Sequence, residues 1–455
     1  MRPILCSHGR IQIASSQRPL PVDLPRRTSG RSAWRHPSGR HPSCPTGRRA
    51  PMRILMISPY LPYPPLSGGQ RRIYHLLRGL SANHEVSLLT SVDDESKCDL
   101  ASNLREFCHE VFTAVVPPPT RRPFREHIGG LLSPEPYYRV VMRSFVLKTQ
   151  LSRLVDGGTY DVVQAEHLAV AHLVVPLRGI RKVIDMHNVE STYYRRLVRH
   201  LSPGVGQLLT LSDVIKLPSY ERRLLERFDH CLAVSEVDAQ QLRTLAPRAR
   251  VSVIPNGVDS DEFYPSVEGG EPNRLVFTAK LSYLPNIDAM LFFCREVLPL
   301  IRKAAPDIRL LIVGEQPPPE VSALKTLSGV EVIGSVPDTR PYLASAAVVV
   351  VPVRLGSGTR IKVLEAMAMA KAVVSTSVGA EGLDVRPGED IEIEDSPAGF
   401  AEKVIGLLNN AERRSCMGKR ARQAIMQQYT WAGISTRLED IYQRIRPREE
   451  ASVGG

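Results

Sequence analysis

The sequence predicts an α/β protein of two Rossmann-like domains, each a parallel sheet covered by helices, facing each other across a cleft. Three observations predict it. From Met52 onward, short β-branched runs alternate with longer helical patterns. The short runs are nearly all apolar, as strands buried on both faces are. They also fall into two series, and twelve or so strands are too many for one comfortable open sheet.

The first series comprises residues 53–58, 85–90, 110–116, 161–166, 182–186, 230–235 and 251–254. The second comprises 274–279, 308–314, 330–333, 347–351 and 372–376. Between them, "IPNGVDSDEFYPSVEGGEPN" at 254–273 is rich in Gly, Pro and acids and lacks periodicity, so the domain break falls there. An N-terminal domain is expected over 52–255 and a C-terminal domain over 256–430. Residues 431–455 are expected to form a helix and tail, with Trp431–Arg446 helical and packed across a domain surface. Between 116 and 145 the alternation lapses into an irregular excursion with short helices.

The 455 residues are 43% hydrophobic and 23% charged, a globular composition long enough for two or three cores. The net charge of +12 invites nucleic acid as a partner, but its distribution argues against one. Residues 1–51 hold ten Arg, no Lys and one acid, Asp23, while the remainder is close to neutral. That leader has no apolar core of a secretory signal and no hydrophobic period. It is expected to be a disordered tail or an upstream mis-start, with a transit peptide as the alternative. Seven scattered cysteines without CxxC spacing argue against disulfides or zinc and for a reducing cytosol. No apolar run approaches the ~18 residues that span a bilayer.

The strongest constellation is "VVVVPVRLGSGTRIKVLEAMAMAKAVVST". A buried strand ends at Val351, a loop carries Gly356, Ser357 and Gly358, and a helix is expected from about 359 to 370. Ligands of open parallel sheets sit beyond the strands' carboxyl ends, where free helix amides point. Gly358 and Thr359 would offer N–H groups to an anion. Arg360 and Lys362 fall in the first helical turn, where the macrodipole disfavours cations, and a bound diphosphate would explain them. The plainer alternative pairs Lys362 with Glu365 and leaves Arg360 solvated. Glu365 itself lies in a mostly apolar helix, so it is either paired or functional; accepting ribose hydroxyls is one such use.

Weaker signals flank it. Gly68–Gly69, in "SPYLPYPPLSGGQRRIYHLLRGL", precede a helix near Gln70 and either approach a ligand or make a tight turn. "VIDMHNVEST" places Asp185, His187 and Asn188 at a strand's carboxyl edge, with Glu166 on the same edge; His187 meets a substrate hydroxyl or is a satisfied core histidine. Asp259 and Asp261 mimic a DxD metal motif but read as turn or cap residues, and no metal site is expected.

At these residues the sequence resembles the family-4 glycosyltransferases of the GT-B fold, and within them exopolysaccharide-type sugar transferases. The resemblance spans 52–445 and is carried by "SGGQRRIYHLLRGL", "DMHN", "ERFDHCLAVSE", "VIPNGVD", "FTAKLSYLPNIDAMLFF", "LLIVGE" and "GSGTRIKVLEAMAMAKAVVST" in that order. It implies transfer of a sugar from a nucleotide-sugar co-substrate, such as a UDP- or GDP-sugar, with retention and with neither metal nor other cofactor. Glu365 matches the later Glu of the family's E-x7-E pattern, which implies ribose binding; the earlier Glu is Ser357 here. Lys280 takes the place of a phosphate-binding Arg, and Asn286 falls near that of its partner Lys. Lys280, with Arg360 or Lys362, is therefore expected to neutralise the departing diphosphate. By the same analogy His187 and the Gly68–Gly69 loop contact the sugar or phosphate.

The acceptor is expected to be a glycan or a polyprenyl-linked sugar on the N-terminal domain of a cytoplasmic protein. The 117–145 excursion mixes Arg121, Arg122, Arg125, Arg139 and Arg143 with Phe124, Leu131, Leu132, Tyr137 and Tyr138, which suits anionic lipid headgroups or is a solvated loop with some core contacts. Two rivals stand beside this expectation. One is a sugar-nucleotide 2-epimerase, which needs acid/base side chains at the sugar; the other is a non-catalytic nucleotide-sugar-binding scaffold.

Overall fold

The computed structural model describes residues 50–116, 124–141, 145–158, 160–266 and 270–446. The first sheet is built of β1 (Arg53–Ser58), β2 (Glu85–Val92), β3 (Glu110–Val115), β4 (Val162–Glu166), β5 (Arg181–Met186), β6 (His230–Ala233) and β7 (Val251–Val253). Its order is β3-β2-β1-β4-β5-β6-β7, parallel throughout. The second sheet holds β8 (Arg274–Thr278), β9 (Arg309–Val313), β10 (Val330–Gly334), β11 (Val348–Val351), β12 (Ala372–Ser375) and β13 (Glu392–Ile393). Its order is β10-β9-β8-β11-β12-β13, also parallel. The strands read from the sequence are all present. The addition is β13, two residues long and too short to carry a period.

Each sheet reverses its strand order once, between β1 and β4 in the first and between β8 and β11 in the second. Helices on either side of such a point diverge, and a crevice opens at the strands' carboxyl ends. The loops after β1, β5, β8 and β11 carry the residues singled out by sequence.

Both faces of the first sheet are buried. One packs Leu55, Ile57, Val163, Ile184 and Leu217; the other packs Ile54, Met56, Ile73, Leu76 and Leu232. The second domain has its own core around Phe277, Ile312, Val350, Leu364 and Phe400. Fully burying each such side chain contributes about 1.5–3 kcal/mol, which is why the apolar runs become interior strands.

The C-terminal helix Trp431–Ile445 returns to the first domain. Trp431, Ile434, Leu438 and Tyr442 join the core beneath Ile73 and Leu80, and the Trp431 indole stacks on His75 with ring centroids 4.6 Å apart. Gly79 lies against Ser435, where a Cβ would collide. The chain therefore passes between domains twice. The passes touch, since Val258 N–H donates to Tyr429 O at 2.8 Å and Trp431 N–H to Val258 O at 3.4 Å.

The leader's readings fall on residues 1–49, outside the described residues, as do 117–123 and 142–144 of the excursion. The excursion's described part is helical at Phe124–Leu132, Tyr137–Val141 and Phe145–Val155. Tyr138 follows the second reading of this segment, a core contact and not a lipid-facing one. Its side chain is buried, and its hydroxyl lies 3.1 Å from His167 Nδ1. Among the described residues no helix is long and apolar enough to cross a membrane.

Candidate active site

The first domain's edge is organised around a buried charge network. Arg72 lies on the apolar stripe of the Gly68–Ser81 helix, with Ile73, Leu76 and Leu80, so its guanidinium is carried into the interior at 1% exposure. There it forks onto Asp185 at the end of β5, Nε to Oδ2 at 2.6 Å and Nη2 to Oδ1 at 2.7 Å. His187 Nε2 stands 3.1 Å from Glu166 Oε2 and 3.3 Å from Asp185 Oδ2. Burial opposes a charged imidazole here, but the hydrogen bonds to Asp185 and Glu166 outweigh it and hold His187 up to about 9. Burial and the neighbouring Asp185 raise the Glu166 carboxyl. Burial acts the same way on Asp185, but Arg72 overrides it and keeps that carboxyl well below the usual range. The three side chains could in principle ligate a metal. Arg72 already supplies the compensating cation, however, so the donor set does not fit one.

This network reaches the second domain. Arg72 Nη1 donates to Pro255 O at 3.0 Å and to Asn256 Oδ1 at 3.2 Å. Asn256 Nδ2 then donates to Thr359 Oγ1 at 2.8 Å, inside the loop after β11. The loop rests directly on the Asp185–Asn188 edge. Gly358 has φ +75°, and a Cβ there would lie 2.6 Å from His187 O. Only glycine fits that combination. Ser357 is buried, its Oγ 3.4 Å from Val189 O. Asn188, with its amide oriented to satisfy its neighbours, donates to both His187 O and Ser357 O at 2.9 Å.

The Gly68–Gly69 pair begins the helix itself, which starts at Gly68 behind a capping box of Ser67 and Gln70. The S-x-x-Q spacing was a readable signal for that start. A Cβ on Gly68 would meet Ile361 of the second domain at 3.5 Å, and one on Gly69 would collide with the Tyr60 hydroxyl and lie 3.6 Å from His187 Nδ1. The two glycines thus lie inside the first helical turn and not before the helix, and the atoms they approach are those of Tyr60, His187 and Ile361.

Two expectations about the cations are corrected. Arg360 is the N-cap and not a first-turn residue, because the helix runs Ile361–Ala368. Its guanidinium folds back onto its own loop, Nη1 donating to Ser357 O at 2.6 Å and Gly358 O at 3.0 Å. Lys362 does not pair with Glu365. Its Nζ donates to Asn286 Oδ1 at 2.6 Å and sits 4.2 Å from the Phe277 ring centroid. Burial, then Arg360, pushes this ammonium well below the ordinary lysine range. Glu365 is instead ion-paired with Arg71 of the first domain. Lys280, just past β8, is exposed, and its carbonyl accepts from Asn286 Nδ2 at 2.8 Å. Lys280, Asn286 and Lys362 are thus linked through Asn286.

Sequence reasoning missed Arg71, Arg72, Asn256 and the pair Arg196–Glu381. Arg196 forks onto Glu381 at 2.6 and 2.7 Å and also donates to Gly356 O at 2.5 Å, tying the domains together beside the same loop. Arg72 alone left a signal, a charge on an apolar helical stripe. Asp259 Oδ1 caps the backbone N–H groups of Asp261 and Glu262 at 3.0 and 3.1 Å, as a turn residue does.

Two sheets whose carboxyl edges meet in one cleft define the GT-B architecture. A family model described as Glycosyltransferase Family 4 matches residues 66–262, and one described as Glycosyl transferases group 1 matches 272–410. Together they take in both domains, and the chain is a family-4 glycosyltransferase. It is 23% identical over 369 residues to an uncharacterized 44.6 kDa protein in the cps region of Klebsiella pneumoniae, covering 79% of this chain and 91% of that one. It is 27% identical over 337 residues to phosphatidyl-myo-inositol mannosyltransferase of Mycobacterium tuberculosis H37Rv, covering 70% and 83%. Anabaena Alr3699/HepE in complex with UDP-glucose shares the fold at TM-score 0.62 and 13% identity, covering 86% of this chain and 100% of that one.

Proposed function

We propose that this transferase moves a sugar from a nucleoside-diphosphate sugar to a glycan or polyprenyl-linked acceptor, with retention and without a metal, in surface or exopolysaccharide synthesis in the cytoplasm. One observation carries the proposal. The Gly356–Arg360 loop and Glu365 of the second domain lie against the His187 and Gly68–Gly69 edge of the first, beside Lys280 and Lys362. A nucleotide sugar has the matching parts: ribose hydroxyls for Glu365, a diphosphate for the cations and helix amides, and a sugar for the His187 edge. The Klebsiella relative from a cps region and the neighbour solved with UDP-glucose support the donor class and the role in polysaccharide synthesis.

Cleaving the bond from the sugar C1 to the diphosphate builds charge on the leaving oxygen. Fixed cations stabilise that charge best where water is excluded. Lys362 is suited to the task, since a diphosphate restores the charge that burial disfavours. Arg360 holds the loop carbonyls and so shapes the amide cradle. The acceptor oxygen bonds to C1 on the same face that the diphosphate leaves as the C1–O bond breaks, and the acceptor's proton passes to the departing diphosphate oxygen.

Protection against thermal unfolding by UDP, GDP and their glucose and mannose derivatives tests the donor class. At least one pair should raise the midpoint in the wild type, and Glu365→Gln should weaken that binding roughly tenfold, as loss of a charged hydrogen-bond acceptor does. Unchanged affinity and turnover in Arg360→Ala and Lys362→Ala would remove the diphosphate role from both. The epimerase alternative gains one observation, because the structure brings carboxylate–histidine pairs to the cleft edge. Product formed from donor without any acceptor would favour it.

A further inference from the structure

A second carboxylate–histidine pair stands beside His187, and the transfer reaction proposed above gives it no role. Glu190 follows the Asp185–Asn188 edge and is 4% exposed. His167 Nε2 holds Glu190 Oε1 at 3.0 Å. The other ring nitrogen accepts from Ala169 N–H at 3.2 Å, so the proton sits on Nε2 and is donated to Glu190. His167 has φ +81°, a backbone conformation costing on the order of 1–3 kcal/mol outside glycine. The strain falls where it aims this imidazole at this carboxylate.

A purely structural role explains Glu190 poorly. The start of its helix is already satisfied, since Glu221 accepts the N–H groups of Glu190 at 2.8 Å and Ser191 at 3.2 Å. Among the described residues no hydrogen bond engages Glu190 Oε2. Burying a fourth acid near Glu166, Asp185 and Glu221 costs stability unless something uses it. The surroundings suit a sugar. Tyr194 meets Tyr193 and Tyr138 edge-on, with ring centroids 5.7 and 5.9 Å apart. Tyr193 in turn faces Tyr283 of the second domain. Burial, the Tyr283 hydroxyl and then Glu190 raise the Tyr193 phenol, whereas burial and Glu190 raise that of Tyr283 against Arg360 and Tyr193, which lower it. Val189, one residue before Glu190, touches Ser357 through its carbonyl.

We propose that Glu190, oriented by His167, accepts hydrogen bonds from a hydroxyl of the transferred sugar, supplying from the first domain the carboxylate that position 357 lacks. Hydroxyl donors and an apolar ring face are what a carboxylate bordered by tyrosines recognises. This inference rests on the nucleotide-sugar reading of the same cleft.

The test is calorimetric titration of the full chain with UDP and UDP-glucose, and with GDP and GDP-mannose. Wild type, Glu190→Gln and Glu190→Asp are compared, with a thermal melt of each to confirm folding. The expected result is that the sugar nucleotide binds wild type more tightly than its bare nucleotide. That increment should fall about tenfold in Glu190→Gln and less in Glu190→Asp, with bare-nucleotide affinity unchanged within twofold. An increment retained in both variants would overturn the assignment while leaving the donor reading intact, as would equal losses for nucleotide and sugar nucleotide or a wild type that gains nothing from the sugar. A wild type that binds none of the four ligands would overturn both.

Discussion

At the scale of single residues the cleft is governed by a buried ionic cluster in which Arg72, Asp185, His187 and Glu166 satisfy one another. Buried charges are tolerated only when paired and hydrogen-bonded, so this cluster is a rigid floor under the substrate edge. His187 makes it pH-sensitive. Its folded value of about 9 lies above the ordinary value of 6.5, so its stabilisation is fully present below about pH 6.5 and is lost as pH rises through about 9. Unfolding free energies of wild type and His187→Gln from urea titrations should therefore differ most near pH 6, by on the order of 1–3 kcal/mol, and converge toward pH 10. A difference that stays flat across that range would mean the imidazole is not charged in the folded protein.

At the scale of elements, the long helix Val205–Leu225 does two jobs. Its buried face places Glu221 and Asp213, the latter accepting from Tyr137 and Tyr138 N–H at 2.5 and 2.9 Å, which seats the excursion beside the cleft. Its other face shows Leu208, Leu211 and Ile215 to solvent, Ile215 at 72% exposure. Lys216 donates to Gly130 O and Leu131 O at 3.0 and 2.9 Å, joining that stripe to the exposed Ile128, Leu131 and Leu132. Exposed apolar side chains on both helices, with Lys216 between them, are the described feature that fits the lipid surface expected from the sequence. Leu211→Glu with Ile215→Glu should abolish co-sedimentation with anionic vesicles and leave soluble-donor binding intact. Vesicle binding that survives the double change would rule out this face.

At the scale of the molecule, the domains are held by touching chain passes and by side-chain ties around one loop. The Arg196–Glu381 fork spans the cleft mouth and is only partly exposed, so it is worth more than a surface pair, roughly 1 kcal/mol. In the donor site proposed above, entry needs the loop and the His187 edge to part, and a fork across them would favour the closed arrangement. Glu381→Ala should enlarge the radius of gyration of the free protein in small-angle scattering and weaken donor affinity about fivefold, with less change when donor is saturating. Identical scattering and affinity would show that the fork does not hold the cleft closed.

The two sheets were legible along the chain because a strand buried on both faces must be apolar over its length, and that pattern is local. The Gly356–Glu365 segment, the Gly68–Gly69 approach and the His187 edge were legible for a related reason, as each ends a strand at a known side of such a sheet. Side-chain partners were not legible. Lys362 sits three residues from Glu365 on one helix, yet it turns to Asn286 while Glu365 takes Arg71 from the other domain. Spacing along a helix shows which residues share a face, but domain packing decides which charges meet there. Glu190 makes the same point. Alone it reads as an ordinary acid opening a helix, and only the folded sheet brings His167 against it and sets Ser357 beside its neighbour Val189. The sequence by itself determined the fold and the location of the cleft, because burial and periodicity are properties of contiguous residues. Tertiary structure alone decided which charges pair in that cleft, because those pairings join residues far apart in the chain.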